Sequence, residues 1–462
     1  MKSNISYERG VLAMEIAMTN QLLIEEEKKY IAKAQKIPYS PVVFTSGEGA
    51  ILYDCEGKEY IDFLSSAGSA NIGHGNKEIA NEVKEQMEKL SQYTIAYFSG
   101  EPSVKLAKKL VELVPGDNDK KVIYSLTGSA SIDGAIKFAR AYTGRQKLIS
   151  FVESYHGSTY GAISVSALST NMRRKIGPLV PEVYHFNYPI CTRCPYSKKE
   201  SDCKLECLKE IEYAFNHYLP ADEVAAIIFE PIAGDAGIVV PPKKYVKALS
   251  ELCKENKILF VCDEIQQGMG RTGEWFGIQN FDVEPDLLVL GKSVGAGLPL
   301  GAIVGRADIM ESLEPPAHLF TLAGGAAVCS ASLKMIEIFE RENIVKKSIE
   351  LGEYIKDKFK QLREKYDLIG DIRGIGLSIG VDIVKDRESN EKHYDATAKI
   401  CYRCIEKGLV MIFLGKSTLR VQPPLVITKE QIDRAMTIID ESIDDYINGR
   451  IGDEVFEQIK GW

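Results

Sequence analysis

Ile258-Leu-Phe-Val-Cys-Asp263-Glu264 is a run of apolar residues closed by two carboxylates. A strand that is apolar on both faces belongs in a sheet covered on both sides, most simply a parallel sheet wrapped by helices. Comparable runs stand at residues 122–125, 147–152, 224–229 and 287–290, with helix-patterned segments such as 77–90 and 102–113 ahead of the first. The chain therefore reads as α/β, with a large domain over residues 76–343 built on a mainly parallel sheet. Open α/β sheets place ligands beyond the C-terminal ends of their strands, which makes Asp263 a site candidate. An Asp there also commonly caps the following turn.

The flanks read differently. Residues 22–37 (LLIEEEKKYIAKAQKI) predict a short charged helix, and residues 50–63 alternate around Glu56-Gly57 as a hairpin does. Residues 1–75 are thus the N-terminal segment of a smaller α+β domain. Residues 344–462 supply the rest of it: a long charged helix at 344–366, a hairpin at 370–384 and a helical tail.

Composition narrows the function. The 462 residues are 45% hydrophobic and 26% charged, enough for a large core and against a disordered chain or a disulfide-stapled miniprotein. Lys plus Arg number 57 against 65 for Asp plus Glu, a net charge of -8 without a basic stripe, so nucleic acid is not an expected partner. No apolar run approaches a membrane span. The first 29 residues lack the pattern of a signal peptide, because Glu15 interrupts their apolar stretch. Ten cysteines without an export signal point to the reducing cytoplasm.

Two further stretches carry chemistry. Gly291-Lys292-Ser293-Val-Gly295-Ala-Gly297 follows a buried strand, and a lysine in such a cleft can lose solvation and become an amine nucleophile or base. Thr127-Gly128-Ser129 lies between a strand and an amphipathic helix, where free N–H groups suit a phosphate; Ser and Thr are equally ordinary helix caps. Gly268-Met-Gly270-Arg-Thr-Gly273 fits the dinucleotide spacing, but does not stand directly between a strand and a helix. Cys191, Cys194, Cys203 and Cys207 have a spacing zinc accepts, with free thiols as the plainer reading, and no metal site is assigned.

In order and spacing these segments resemble the class III, or ω-type, aminotransferases of the pyridoxal-phosphate fold type I group, from about residue 40 onward. The resemblance implies pyridoxal 5'-phosphate as cofactor and gives each motif a role. Lys292 resembles the Schiff-base lysine, Asp263 the partner of the pyridinium nitrogen, and Gln266 the contact to the ring hydroxyl. Gly128 and Ser129 match the phosphate turn, and Tyr155 in Tyr155-His156-Gly157 the ring-stacking aromatic. Thr321 matches a threonine that reaches the neighbouring subunit's phosphate, implying a homodimer or a dimer of dimers. Gly325-Ala326 departs from the family's Asn-Pro pair just after it.

Glu230-Pro231-Ile232-Ala233-Gly234-Asp235 bears on the reaction. Family members acting on terminal amines usually end this motif in Glu, which pairs with an arginine resembling Arg420. Asp235 is one methylene shorter and is expected to pair less well, freeing Arg420 for a substrate α-carboxylate and Asp235 for acid/base work. Asp in this slot resembles isoleucine 2-epimerase-type racemases, as do 316–321, 138–145 and the terminal Gly461-Trp462. The expected activity is a two-base racemase or epimerase of a free amino acid, with Lys292 and Asp235 on opposite faces of Cα. The alternatives are a class III aminotransferase using a keto-acid acceptor, with Asp235 a conservative variant, and a catalytically silent binding protein organised by metal at the cysteines.

Overall fold

The computed structural model describes residues 19–461; the expectations placed on residues 1–18 and on Trp462 lie outside them. Its largest sheet has seven strands, in the spatial order Lys120–Ser125, Gly301–Arg306, Leu287–Leu290, Leu259–Asp263, Val224–Phe229, Lys147–Phe151, Val183–Phe186. Only Gly301–Arg306 runs against its neighbours; the pairs among the other five adjacent strands are parallel. Every residue of Val224–Phe229 is buried, as a strand covered on both faces must be.

Local chemistry sets the helix ends. Lys77–Leu90 starts where the Asn76 side chain accepts from the Ile79 amide. Gly128–Thr143 starts at Thr127, whose hydroxyl accepts from the Ala130 amide at 3.2 Å, and stops at Gly144, which turns left-handed at φ 69°. The expected charged helix at 22–37 is shorter, Asn20–Tyr30, because Ile31 goes extended.

Two four-stranded sheets surround the chain ends. Phe44–Glu48, Ile51–Asp54 and Glu59–Asp62 form a meander, and Leu409–Val410 adds to it in parallel, bringing the two ends of the chain together. Ile369–Ile375 and Ser378–Ile383 form the expected hairpin, extended by Thr418–Val421 and Ile412–Leu414. The tail read as helical thus carries three short strands, and one of them places Arg420 opposite Gly380. No helix among the described residues is long and apolar enough to cross a membrane.

Candidate active site

Neighbouring strands of the large sheet deliver their last residues to one place. Asp263 closes Leu259–Asp263, Lys292 follows Leu287–Leu290, and Glu230 follows Val224–Phe229. The Thr127 turn after Lys120–Ser125 starts the Gly128–Thr143 helix beside them. A cleft of about 170 Å³ results, lined among others by Gly128, Ser129, Tyr155, Asp263, Gln266 and Lys292. Six residues separately singled out in the sequence therefore share one wall.

Close backbone contact draws them in. A Cβ on Gly291 would stand 2.8 Å from the Gly128 Cα, so the loop carrying Lys292 rests directly on the start of the helix. Lys292 itself has φ 47°, an uncommon conformation for a long side chain and a form of strain that concentrates at functional sites. Burial holds its ammonium pKa below the ordinary value. Asp235 opposes that shift and Arg420 reinforces it.

Asp263 is buried, and its second carboxylate oxygen meets His156 Nδ1 at 2.7 Å. Burial alone would lower the imidazole pKa, but the hydrogen bond and charge of Asp263 outweigh it and hold it above its ordinary value. His156 Nε2 lies 3.2 Å from Ser150 Oγ, which donates to the Val165 carbonyl. That assigns Ser150 as acceptor toward the ring, so both imidazole nitrogens have partners. The other Asp263 oxygen accepts from the Ile265 amide at 3.0 Å.

Glu230 lines the cleft and is buried. Its two oxygens accept the amides of Tyr155 and Gly234, each at 2.9 Å, and burial pushes its pKa up to about 7. One carboxylate thus fixes the backbone of Tyr155 and of the residue before Asp235. A Cβ on Gly234 would meet Gln266 Oε1 at 2.0 Å, so the Asp235 loop lies directly against the Gln266 amide and a larger residue there would displace it.

Asp235 Oδ1 accepts from Arg420 Nη1 at 3.0 Å and from Gln266 Nε2 at 3.4 Å. This corrects the expectation of a loose pair: the shorter carboxylate still reaches the guanidinium. The contact uses one nitrogen only, and Arg420 Nη2 is buried without a hydrogen-bond partner. Neither Asp235 nor Arg420 lines the cleft itself; both stand behind Gln266, which does.

Thr321 does not line this cleft. It is exposed, and its carbonyl accepts from Gln92 Nε2 at 3.2 Å. The four cysteines of the 191–207 insertion are free thiols, and no group of three or more His, Cys, Asp or Glu side chains among the described residues is arranged to hold a metal. Burial pushes Cys191 up to about 11 and Cys207 to about 12, which leaves both protonated at neutral pH.

Several participants escaped sequence reasoning. His156 and Glu230 sit inside quoted motifs, yet nothing local told them from a core histidine and a turn carboxylate. Outside the cleft lining, Ser65, Ser66 and Ala67 have positive φ (52°, 47° and 58°), a left-handed run with no glycine before Gly68 to signal it. Glu264, next to Asp263, accepts the amides of Gly277 and Ile278 at 2.9 and 2.7 Å, and burial pushes its pKa up to about 7 from 4.5.

The sign of that last shift gives a test. The unfolded carboxyl releases its proton near pH 4.5 and the folded one near 7, so the unfolded state gains over that window and folding weakens by up to about 3 kcal/mol. Glu264→Gln removes the titration. The gap in thermal midpoint between the parent protein and this variant is therefore expected to narrow as pH rises from about 5 to about 8, followed by calorimetry.

Comparison with known proteins bears on the chemistry. The Aminotransferase class-III profile matches residues 31–443. The chain is 44% identical over 446 residues to the leucine/methionine racemase of Thermococcus litoralis, covering 96% of this chain and 100% of that one. It is 43% identical over 430 residues to the isoleucine 2-epimerase of Lentilactobacillus buchneri, covering 93% and 96%. A crystallised aminotransferase of Bacillus anthracis superposes with a TM-score of 0.85 at 30% identity, covering 93% of this chain and 100% of that chain.

Proposed function

Because the chain belongs to the class-III aminotransferase family, we propose that it is a pyridoxal-phosphate-dependent racemase or epimerase of free amino acids. The observation that carries this reading is a second carboxylate, Asp235, that stands behind the cleft wall on Gln266 and close enough for its charge to act on Lys292. Of the carboxylates around Lys292, Asp235 acts on it most strongly, and the two lie on separate loops. Relatives named as a racemase and an epimerase match nearly the whole chain and support the same assignment.

The residues present fit the cofactor. The first amides of the Gly128–Thr143 helix lie beyond those taken up by Thr127, and with Ser129 Oγ they would receive the phosphate. Asp263, held by His156, would keep a proton on the ring nitrogen; Tyr155 would stack on the ring, and Gln266 would contact its hydroxyl. Pyridoxal phosphate, when bound, supplies the electron sink that makes the Cα–H of an attached amino acid acidic. Lys292 would anchor it and move the Cα proton on one face. Asp235 would move the proton on the other, with Arg420 Nη2 holding the α-carboxylate. The substrates closest to this assignment are branched or unbranched aliphatic amino acids, as in the relatives' names.

In this reading the enzyme is a homodimer, with 76–343 the cofactor domain and the two chain ends its smaller companion. Thr321, exposed on its own chain, would reach the phosphate of the partner's site. Light scattering is expected to give twice the mass of one chain, or four times it for a dimer of dimers, and never the mass of a single chain. Thr321→Ala is expected to weaken cofactor retention about tenfold, read by dialysis against absorbance, consistent with loss of one hydrogen bond to a charged group.

The Asp235–Arg420 pair favours one second reading, a class III aminotransferase in which Asp235 only masks Arg420. Incubating single enantiomers of leucine, methionine and isoleucine without any keto acid decides between them. The racemase produces the opposite hand on chiral chromatography, and the aminotransferase leaves the amino acids unchanged in hand.

A further inference from the structure

Arg420 and Gln422 stand two apart at the end of one strand, so both side chains emerge on the same face. Gln422 is fully buried. Its Oε1 accepts from Arg420 Nε at 2.6 Å, while its Nε2 donates to Ser378 Oγ at 2.8 Å and reaches Gln266 Oε1 at 3.5 Å. Ser378 begins the neighbouring antiparallel strand, where the register carries it opposite Gln422. Beneath them, buried Arg271 donates through Nη1 to the carbonyls of Leu377 and Pro423, the residues flanking Ser378 and Gln422. Its Nη2 holds Asn71 and Ser65.

We propose that Gln422, fixed by Ser378, is a positioning residue that keeps the Arg420 guanidinium in place while Asp235 changes protonation state. The inference rests on the two-base reading above. In each turnover Asp235 takes a proton from Cα or gives one to it, and as the neutral acid it no longer pairs electrostatically with Arg420. A guanidinium held only by Asp235 would then be free to swing, and the substrate carboxylate with it. Gln422 offers an acceptor that does not titrate at any working pH, and it grips the Nε edge. Nη1 is left for Asp235 and Nη2 for the substrate. Inversion at Cα needs this constancy, because the proton must arrive on one face after leaving the other while the carboxylate stays still.

The test compares leucine with leucinamide, which lacks the anionic carboxylate, in absorbance titrations of the holoenzyme that require no turnover. Gln422→Met keeps length and burial but removes both amide contacts. It is expected to keep cofactor absorbance and reduce the preference for leucine over leucinamide by about tenfold or more. Ser378→Ala, which loosens the amide but leaves the acceptor, is expected to reduce it less, in the same direction. An unchanged preference in both variants would overturn the proposal and leave Gln422 as packing. Should Gln422→Met fail to fold, Ser378→Ala decides by the same ratio. The titration reads carboxylate recognition even if the parent enzyme proves unable to racemise, so failure of the functional reading and failure of this one are separately visible.

Discussion

Asp235→Asn is expected to slow inversion at Cα by about 10³-fold or more while leaving amino-acid binding within about tenfold, since general acid–base groups contribute on the order of 10²–10⁴. Asn is nearly isosteric, and its carbonyl oxygen can still accept from Arg420 Nη1, so the anchor for the carboxylate is retained. What it cannot do is take or give the proton. The variant should separate the two enantiomers sharply. The one whose Cα–H faces Lys292 exchanges with deuterated solvent and keeps its hand, whereas the other neither exchanges nor inverts. Equal loss of exchange for both enantiomers would count against a base on each face.

Lys292→Ala carries the other large effect. Anchoring and proton transfer both depend on this amine, so exchange and inversion are expected to fall together by at least about 10⁴-fold, more than loss of either role alone. The absorbance that marks the lysine linkage should be missing from the purified variant. The protein should remain folded, because the Lys292 side chain makes no hydrogen bond or salt bridge to another described residue and Ala takes the same left-handed backbone without added strain. An unaltered cofactor spectrum in this variant would remove Lys292 from the anchor position.

The sequence and the structure agree most closely where burial dictates residue type. Val224–Phe229 and Leu287–Leu290 are strands with the bounds their apolar runs predict, and Lys77–Leu90 is the helix its periodicity predicts. Gly301–Arg306 went unread because glycines interrupt it at both ends, and Val183–Phe186 because His185 breaks its apolar character. Those two strands include the one that reverses direction in the sheet. The strand ends Asp263 and Lys292 were legible because a charge at the end of an apolar run needs a reason to be there. Arg420 was legible only through its motif, since its short strand lies in a tail patterned like helix.

The partners of the site residues were beyond a linear reading. His156 reaches Asp263 across 107 positions and Gln266 reaches Gln422 across 156, separations that only the fold closes. The tightness of the Asp235–Arg420 pair was misjudged for a similar reason. Side-chain length alone argues for a gap, but Gly234 and the Glu230 carboxylate set the loop where the shorter Asp still reaches. The pair occupies Nη1 and leaves Nη2 buried without a hydrogen-bond partner among the described residues, the donor that the proposed function gives to the substrate carboxylate.

The central claim is that two opposed bases invert a free amino acid at Cα. It is tested most directly by incubating L-leucine with the purified holoenzyme in deuterated buffer, without keto acid, and stopping the reaction early. Mass spectrometry of the separated enantiomers is predicted to show D-leucine carrying deuterium at Cα in nearly every molecule, beside L-leucine that is still mostly protiated. L-Leucine unchanged in hand, with turnover starting only once a keto acid is added, would contradict it and identify an aminotransferase.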